Sequence, residues 1–360
     1  MGFKSFMTGI FTNVLLGTLV YGINIFIRKS KDPQTLLFGT AGLVIASILM
    51  LYAFLWKWNN VRTWSFYLIF VPIFLTSSFD FLTLLDILRE PNGIFMKELG
   101  SKDRHVRNTV VTNYSLFDGT ILHAVNYVAL YRLGSGKSSR SLQLLSATGL
   151  TMMFSGYAFS SFTSDLPLQP MTKTFLAIVL KIPRSFVLSH KQGSGIAPKL
   201  LALITLPLLV AAGAVIVAKA LVLNGVKNEY LEIVRLNDPL IFLNDVEKTF
   251  PFIAGAIWQN VIVSLPLLII SFIYHFKALK PTILWELSII NLGLALPTQF
   301  VFITGSLIWK TPKNLRVNPG NVTFWIINLI PVVAALAQVV SLLQFRSSLV
   351  SAKAKSKKRL

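Results

Sequence analysis

The chain has 360 residues, of which 54% are hydrophobic and only 13% are charged, and this composition is typical of an integral membrane protein. Cysteine is absent, which excludes disulfide bonds and thiolate metal sites. The net charge of +20 does not indicate nucleic-acid binding, because the basic residues are scattered through short loops between apolar runs, where they meet anionic lipid headgroups.

Apolar runs of about 18 to 25 residues predict roughly ten membrane-spanning helices. In chain order, these runs lie at 6–27, 35–56, 65–88, 111–133, 141–163, 172–190, 198–223, 251–275, 282–308 and 322–345. The run at 172–190 is the weakest of them, because Lys181, Pro183 and Arg184 interrupt it. Most connections are short and leave no room for a soluble catalytic domain. The predicted fold is therefore an all-α polytopic membrane protein with about ten transmembrane helices.

The positions of two long loops indicate an internal duplication. A helix, a long charged loop and three further helices occupy 65–190, and the same order recurs over 198–345. Because an even number of helices, four, separates equivalent points of the two copies, both copies have the same orientation in the membrane, as in parallel repeats. The predicted domains are an N-terminal two-helix hairpin at 1–60, a first four-helix unit at 61–192, a second four-helix unit at 198–346 and a basic tail at 347–360.

The tail "SAKAKSKKRL" carries Lys357 and Lys358 at the fourth and third positions from its end. This is the dilysine arrangement that the COPI retrieval coat reads on cytosolic tails of endoplasmic-reticulum membrane proteins. It predicts a multi-pass protein of that membrane with a cytosolic C-terminus, and an even number of spans then places both long loops in the lumen. The alternative is a basic juxtamembrane segment that contacts anionic lipid.

Ionisable and amide side chains inside the predicted spans are the candidate functional residues. The fourth span carries Asp118, His123 and Asn126 on one face, and the third span carries Asp80. The other candidates, each on the polar stripe of its own predicted helix, are Tyr157, Asn260, Gln299 and Asn328.

Two carboxylates on facing helices would either pair with a cation, for which Lys181 is a candidate, or share a proton. We expect Lys219, by contrast, to extend its ammonium group towards the membrane surface. His123 is expected to be a hydrogen-bonded interior histidine, because its helix carries no second histidine or carboxylate at ligand spacing. No metal or cofactor is predicted. For Thr76, Ser264 and Asn291 a hydrogen bond to a neighbouring helix is the expected role.

Several segments resemble one known family in order and spacing over about residues 65 to 345. They are "FLTSSFDFL", "LFDGTILHAVNYVALY", "NDPLIFLNDVEKTFPF", "ALPTQFVF" and "KTPKNLRVNP". The sequence resembles the transmembrane 6 superfamily, a branch of the EXPERA group that also includes the emopamil-binding protein, which is a sterol isomerase, and the sigma-2 receptor. The resemblance implies two tandem four-helix bundles of the EXPERA type.

In that group a cavity among the four helices holds a sterol or a cationic amphiphile against acidic residues. The resemblance places Asp118 where the family has a pocket glutamate, and Asn260 at the same place in the second unit. Asp80 falls near the first-helix histidine of the isomerase, and Asn328 near its last-helix asparagine.

The departures from the isomerase pattern favour binding over catalysis. Moving a double bond requires an acid and a base at fixed positions. Here the histidine position reads Asp80, the glutamate one turn beyond it reads Leu84, and the second unit has lost its carboxylate. The resemblance therefore implies a role in lipid homeostasis, in which the protein binds a sterol or other lipid in an intramembrane pocket and regulates lipid handling, and the tail predicts that this takes place in the endoplasmic reticulum.

Three alternatives stay open. The first is a sterol isomerase that uses Asp80 and Asp118. The second is a lipid transporter or scramblase, which would need a continuous polar path across the membrane. The third is a scaffold that binds partner proteins, and the sequence does not fix whether the chain forms homo- or hetero-oligomers.

Overall fold

The fold was analysed in a computed structural model, which describes residues 14, 42, 45, 46, 49, 77, 113–114, 116–134, 138–163, 199–238, 240–241, 251–276, 281–307, 313 and 316–357. Throughout these residues the regular structure is helical, with no strand. The chain divides into two compact units, Met1–Leu150 with Gln169–Ile182, and Thr151–Leu168 with Pro183–Leu360. The predicted span at 172–190 lies outside the described residues, as do those at 6–27, 35–56 and 65–88 apart from isolated positions.

Two described helices belong to the first unit, the second of them only in part. A π-helical turn, Asp118–Leu122, leads directly into α1 (His123–Gly134). Helix α2 (Arg140–Thr163) follows, and its residues from Thr151 onwards belong to the second unit. The connection between the two helices is short, and the Arg132 Nε group donates to the Ser138 carbonyl across it, at 2.9 Å. Helix α2 has nearly the bounds of the predicted span at 141–163, and the π-helical turn together with α1 covers the second half of the predicted span at 111–133. That these helices cross the membrane stays a prediction.

The second unit contains most of the described helices. They are α3 (Lys199–Leu223), α4 (Glu229–Asn237), α5 (Pro251–Gln259), a π-helical turn (Asn260–Ser264), α6 (Leu265–Phe276), α7 (Pro281–Leu307) and α8 (Val322–Lys357). Four segments are long and apolar enough to cross a membrane: Ile204–Leu223, Ile253–Ile273, Ile283–Leu307 and Val322–Leu343. The chain is thus an α-helical, polytopic membrane protein, while the count of about ten spans and the tandem bundles stay predictions.

Helix α8 is the centre of the second unit, because α3 and α7 both pack along it and α3 also packs against α6. The core between α3, α6 and α8 contains Leu209, Ala212, Ile216, Leu268 and Ala334. Leu209, Ala212 and Ile216 follow one another at helical spacing, so they share one face of α3. The two alanines are completely buried. Small residues let membrane helices approach closely, and this compensates for the absence of a hydrophobic driving force between helices in lipid.

The end of α3 sets the position of α4. Gly225 has φ +75°, a conformation that favours glycine, and its N–H donates to the Val222 carbonyl while the Val226 N–H donates to the Leu221 carbonyl. This pair of bonds terminates α3. Asn228 then caps α4, since its side-chain oxygen accepts from the Tyr230 N–H at 2.9 Å. The charged composition of this region predicts a loop, so helix α4 was not expected.

Candidate functional site

Asp118 begins the π-helical turn of the first unit, and its side chain is completely buried. The His123 N–H reaches back to the Asp118 carbonyl, five residues earlier, which is the hydrogen bond that defines a π-helix. One such turn inserts an extra residue and rotates the following side chains relative to an α-helix. Turns of this kind are frequent at functional sites, so the distortion supports Asp118 as a candidate site residue.

His123 and Asn126 meet at one hydroxyl group. The Asn126 Nδ2 group donates to the Ser77 Oγ at 3.1 Å, and the same oxygen lies 3.0 Å from the His123 Nδ1. All three side chains are buried. Because the Ser77 oxygen accepts from Asn126, its own hydrogen is available to donate to His123 Nδ1. The His123 ring also contacts the Tyr127 ring edge-to-face, with centroids 5.0 Å apart. His123 is therefore a hydrogen-bonded interior histidine, as predicted.

Ser77→Ala is expected to lower the free energy of unfolding by about 1–2 kcal/mol, because it removes two hydrogen bonds. Each hydrogen bond between side chains in a membrane protein contributes roughly 0.6 kcal/mol on average, and at most ~1.7 kcal/mol. Thermal unfolding of the purified protein in detergent measures this loss. Ser138→Ala is the matched control, since Ser138 is exposed. If the two variants unfold at the same temperature, the Ser77 hydroxyl does not stabilise the fold.

A second π-helical turn begins at Asn260, and it has five residues like the one at Asp118. Within it the Ser264 hydroxyl donates to the Asn260 Oδ1 at 3.0 Å, and both side chains are buried. The family resemblance places Asn260 and Asp118 at equivalent positions of two repeats. That correspondence stays a prediction, and Asn260 uses its amide oxygen within its own helix.

The second unit also contains a buried ion pair that was not expected from the sequence. The Lys219 ammonium lies 2.9 Å from the Asp238 Oδ2, and the two side chains are only 5% and 0% exposed. The same ammonium donates to the Asn328 Oδ1 at 2.6 Å and sits over the Phe302 ring, 4.1 Å from its centroid. We call these four residues the Lys219 cluster. It joins α3, α7 and α8 to the residue that follows α4.

The expectation that Lys219 extends to the membrane surface is therefore wrong. A long lysine side chain turns outward when only lipid surrounds it, because no partner compensates for its charge. Here a carboxylate, an amide oxygen and an aromatic face all lie within reach, so the inward position is favourable. Asp238 lies in the segment "NDPLIFLNDVEKTFPF", and no pairing with Lys219 was predicted for it.

The other predicted residues are placed separately. Gln299 is buried on α7, three residues before Phe302. Asn291, expected to bond a neighbouring helix, does so twice: its Nδ2 donates to the Ser271 Oγ at 2.8 Å and to the Gln338 Oε1 at 3.3 Å. Asp80 and Lys358 lie outside the residues that the structure describes. Tyr157 and Lys357 are described only as parts of their helices, without their side chains.

A groove between α3 and α6 is a second candidate site. It has a volume of about 490 Å³ and is lined by twelve residues of α3, α4 and α6, all of them apolar or glycine. Its floor on α3 includes Gly213, Ala214 and Ala218, while Leu231 of α4 contributes at one end. Exposed side chains such as Ile269 line its open side. None of the residues predicted from the sequence lies in this groove.

Known proteins do not assign a role to the groove or to the Lys219 cluster. Comparison of the chain with family models, with curated proteins and with solved structures finds no match. The resemblance to the transmembrane 6 superfamily therefore stays a prediction that rests on the quoted segments, and the function of the chain has to be inferred from its geometry and chemistry.

Proposed function

We propose that the protein binds the hydrocarbon part of a membrane lipid, either a sterol or an acyl chain, in the groove between α3 and α6. The observation that carries this proposal is the apolar groove of about 490 Å³, a size within the roughly 300–1,000 Å³ typical of small-molecule sites. From Leu209 to Leu221 the groove follows α3 for about 18 Å, at roughly 1.5 Å per residue. An elongated apolar molecule fits that shape.

The apolar lining supports binding of a ligand through shape and apolar contact, without recognition of a charged group. Gly213, Ala214 and Ala218 form a low floor, and larger side chains such as Leu209 and Phe272 form the walls. Since α3 and α6 are both parts of candidate membrane spans, the open side of the groove faces lipid. A ligand can enter laterally from the bilayer, and the shape of the groove would select it.

The same lining argues against catalysis in the groove. Double-bond migration in a sterol needs a proton donor and a proton acceptor at the reacting carbons. None of the twelve lining residues is ionisable or carries a hydroxyl or amide side chain. A binding and regulatory role in lipid handling, in the endoplasmic reticulum as the tail predicts, is the function that this geometry supports best. The pocket predicted around Asp80 and Asp118 is a separate location for a ligand.

Lipid mass spectrometry on the protein purified in mild detergent tests the proposal. We expect one enriched lipid class in the wild type, reduced by about tenfold or more in Ala218→Phe, a loss of ~1.4 kcal/mol in binding free energy. The reason is steric, because the phenyl ring would occupy the floor of the groove. Val333→Phe is the matched control, since Val333 is an exposed residue of α8 that does not line the groove.

A third variant separates the two locations. Asp118→Asn keeps the size of the side chain and removes its charge, and we expect it to retain the lipid. If the lipid were lost in Asp118→Asn and retained in Ala218→Phe, the ligand would sit in the first unit and the groove would be excluded. An absence of any enriched lipid in the wild type would contradict binding at either place.

A further inference from the structure

Helix α4 presents large apolar side chains outward. Tyr230, Ile233 and Leu236 are 85%, 55% and 75% exposed. They follow one another at intervals of three residues, which places them on one face of the helix. Three such neighbours form a continuous apolar face, and soluble proteins rarely leave a large face of this kind in water unless it is an interaction surface.

The charged side chains of α4 lie away from that face, apart from Glu229 at its N-terminal end. Glu232 and Arg235 pair with each other at 2.9 Å, so their charges are compensated within the helix. On the side that faces the unit, Val234 is buried. The helix therefore has three faces. One is apolar and packs against the unit, one carries the ion pair, and one is apolar and is not covered by any residue that the structure describes.

Two contacts fix α4 at the level where membrane spans begin and end. At its C-terminal end, Asp238 pairs with Lys219, which lies one turn inside the end of the candidate span Ile204–Leu223. Beside it, the Asn237 Oδ1 accepts from the Asn321 Nδ2 at 2.8 Å, and Asn321 immediately precedes the candidate span Val322–Leu343. Both anchors therefore lie near the ends of candidate spans, and the boundary between hydrocarbon and headgroups is expected at such ends.

The exposed apolar face of α4 follows directly on exposed apolar residues at the end of α3. Val217 and Leu221 are exposed near the end of α3, Val226 is exposed in the turn, and Tyr230 follows as the first outward residue of α4. From this continuity and from the two anchors we infer that α4 is an interfacial helix, which lies in the bilayer surface with Tyr230, Ile233 and Leu236 inserted among the lipids. Its partner is thus the bilayer itself, not a protein.

The chemistry of the residues agrees with that position. Interfacial helices bury their apolar face by about 5–10 Å at the boundary of headgroups and acyl chains. Tyrosine is enriched at this depth because its ring is apolar and its hydroxyl group can meet headgroups. The inference goes beyond the proposed function, since α4 would lie in the interface whether or not the groove holds a ligand.

Spin labelling tests the inference directly, because the chain contains no cysteine and any single introduced cysteine is a unique label site. Labels at Ile233→Cys and Leu236→Cys report the environment of the outward apolar face. Glu232→Cys is the matched position on the ion-paired face, and Lys227→Cys is the matched position in the turn before α4. Val210→Cys, exposed within a candidate span, calibrates the lipid environment. The full chain is labelled and reconstituted in phosphatidylcholine vesicles.

Paramagnetic resonance then compares collisions with oxygen, which concentrates in lipid, and with a water-soluble nickel chelate. We expect the oxygen-to-nickel ratio at Ile233→Cys and Leu236→Cys to be severalfold higher than at Glu232→Cys and Lys227→Cys, and to approach that at Val210→Cys. Equal ratios at all α4 positions, dominated by nickel, would overturn the inference by placing the helix in water. Low collision rates with both reagents, or spin–spin broadening that disappears on dilution with unlabelled protein, would overturn it in favour of a protein partner or a second copy.

Discussion

Lys219→Met is expected to destabilise the second unit by about 3–5 kcal/mol, because removing one partner of a buried ion pair leaves the other charge uncompensated. The Asp238 carboxylate would lose the ammonium 2.9 Å away, and no water could replace it at a side chain that is 0% exposed. Asn328 would also lose its donor. Thermal unfolding in detergent, followed by the fluorescence of the chain's seven tryptophans, measures the effect.

The double variant Lys219→Met with Asp238→Asn distinguishes a lost charge pair from a generally damaged helix. It removes both charges, so most of the lost stability should return. Arg235→Gln is the control for an exposed pair: it breaks the Glu232–Arg235 contact, which is partly exposed to solvent, and should cost less than about 1 kcal/mol. If Lys219→Met cost no more than Arg235→Gln, the ion pair would not stabilise the unit.

Phe302→Ala is the second large effect that we expect, a loss of about 3–5 kcal/mol in the free energy of unfolding. Phe302 is among the largest completely buried side chains of the described chain, and alanine would leave a cavity between helices. Its ring also faces the Lys219 ammonium at 4.1 Å, so the aromatic character matters in addition to volume. The same unfolding measurement applies.

A double-mutant cycle separates the two contributions. Phe302→Leu keeps most of the apolar volume and removes the aromatic face, and it should cost more in the wild type than in the Lys219→Met background. The expected coupling is about 1–2 kcal/mol for a desolvated cation and ring. Additive effects within about 0.5 kcal/mol would show that Phe302 acts through packing alone.

The long apolar helices were predictable because membrane thickness fixes their length. The predicted spans at 198–223 and 282–308 agree with Lys199–Leu223 and Pro281–Leu307 to within one residue. The last helix was predicted to end at 345 and continues to Lys357. An apolar run marks where a span ends, whereas a helix of alanine, serine and lysine continues beyond it because these residues tolerate helical geometry.

Helix α4 was missed for a related reason. It has only nine residues, and its apolar positions alternate with glutamate and arginine, so the segment reads as a charged loop. The available signal was local: Asn228 is a favourable N-cap, and Tyr230, Ile233 and Leu236 recur at helical spacing. The two π-helical turns have no sequence signature that would have revealed them.

The candidate sites were predictable only where chemistry distinguishes the residue. Asp118, His123 and Asn126 stand out in an apolar helix, and the structure buries all three. Lys219 and Asp238 were not paired from the sequence, because a helix end, a turn and α4 separate them. The groove was not predictable, since its floor of glycine and alanine differs from other helix surfaces in shape and not in polarity. Retrieval through Lys357 and Lys358 and the COPI coat as a partner stay predictions.

The most direct test of lipid binding in the groove is photo-crosslinking in proteoliposomes, with a photoactivatable sterol and a photoactivatable acyl phospholipid as probes. Peptide mass spectrometry locates the adducts. We predict saturable labelling by at least one probe within Leu209–Leu221 or Leu265–Phe272, prevented by excess unlabelled lipid and reduced in Ala218→Phe but not in Val333→Phe. Saturable labelling around Asp118–Leu122 instead, or unsaturable labelling spread evenly over the exposed faces of α3, α7 and α8, would contradict the groove as the binding site.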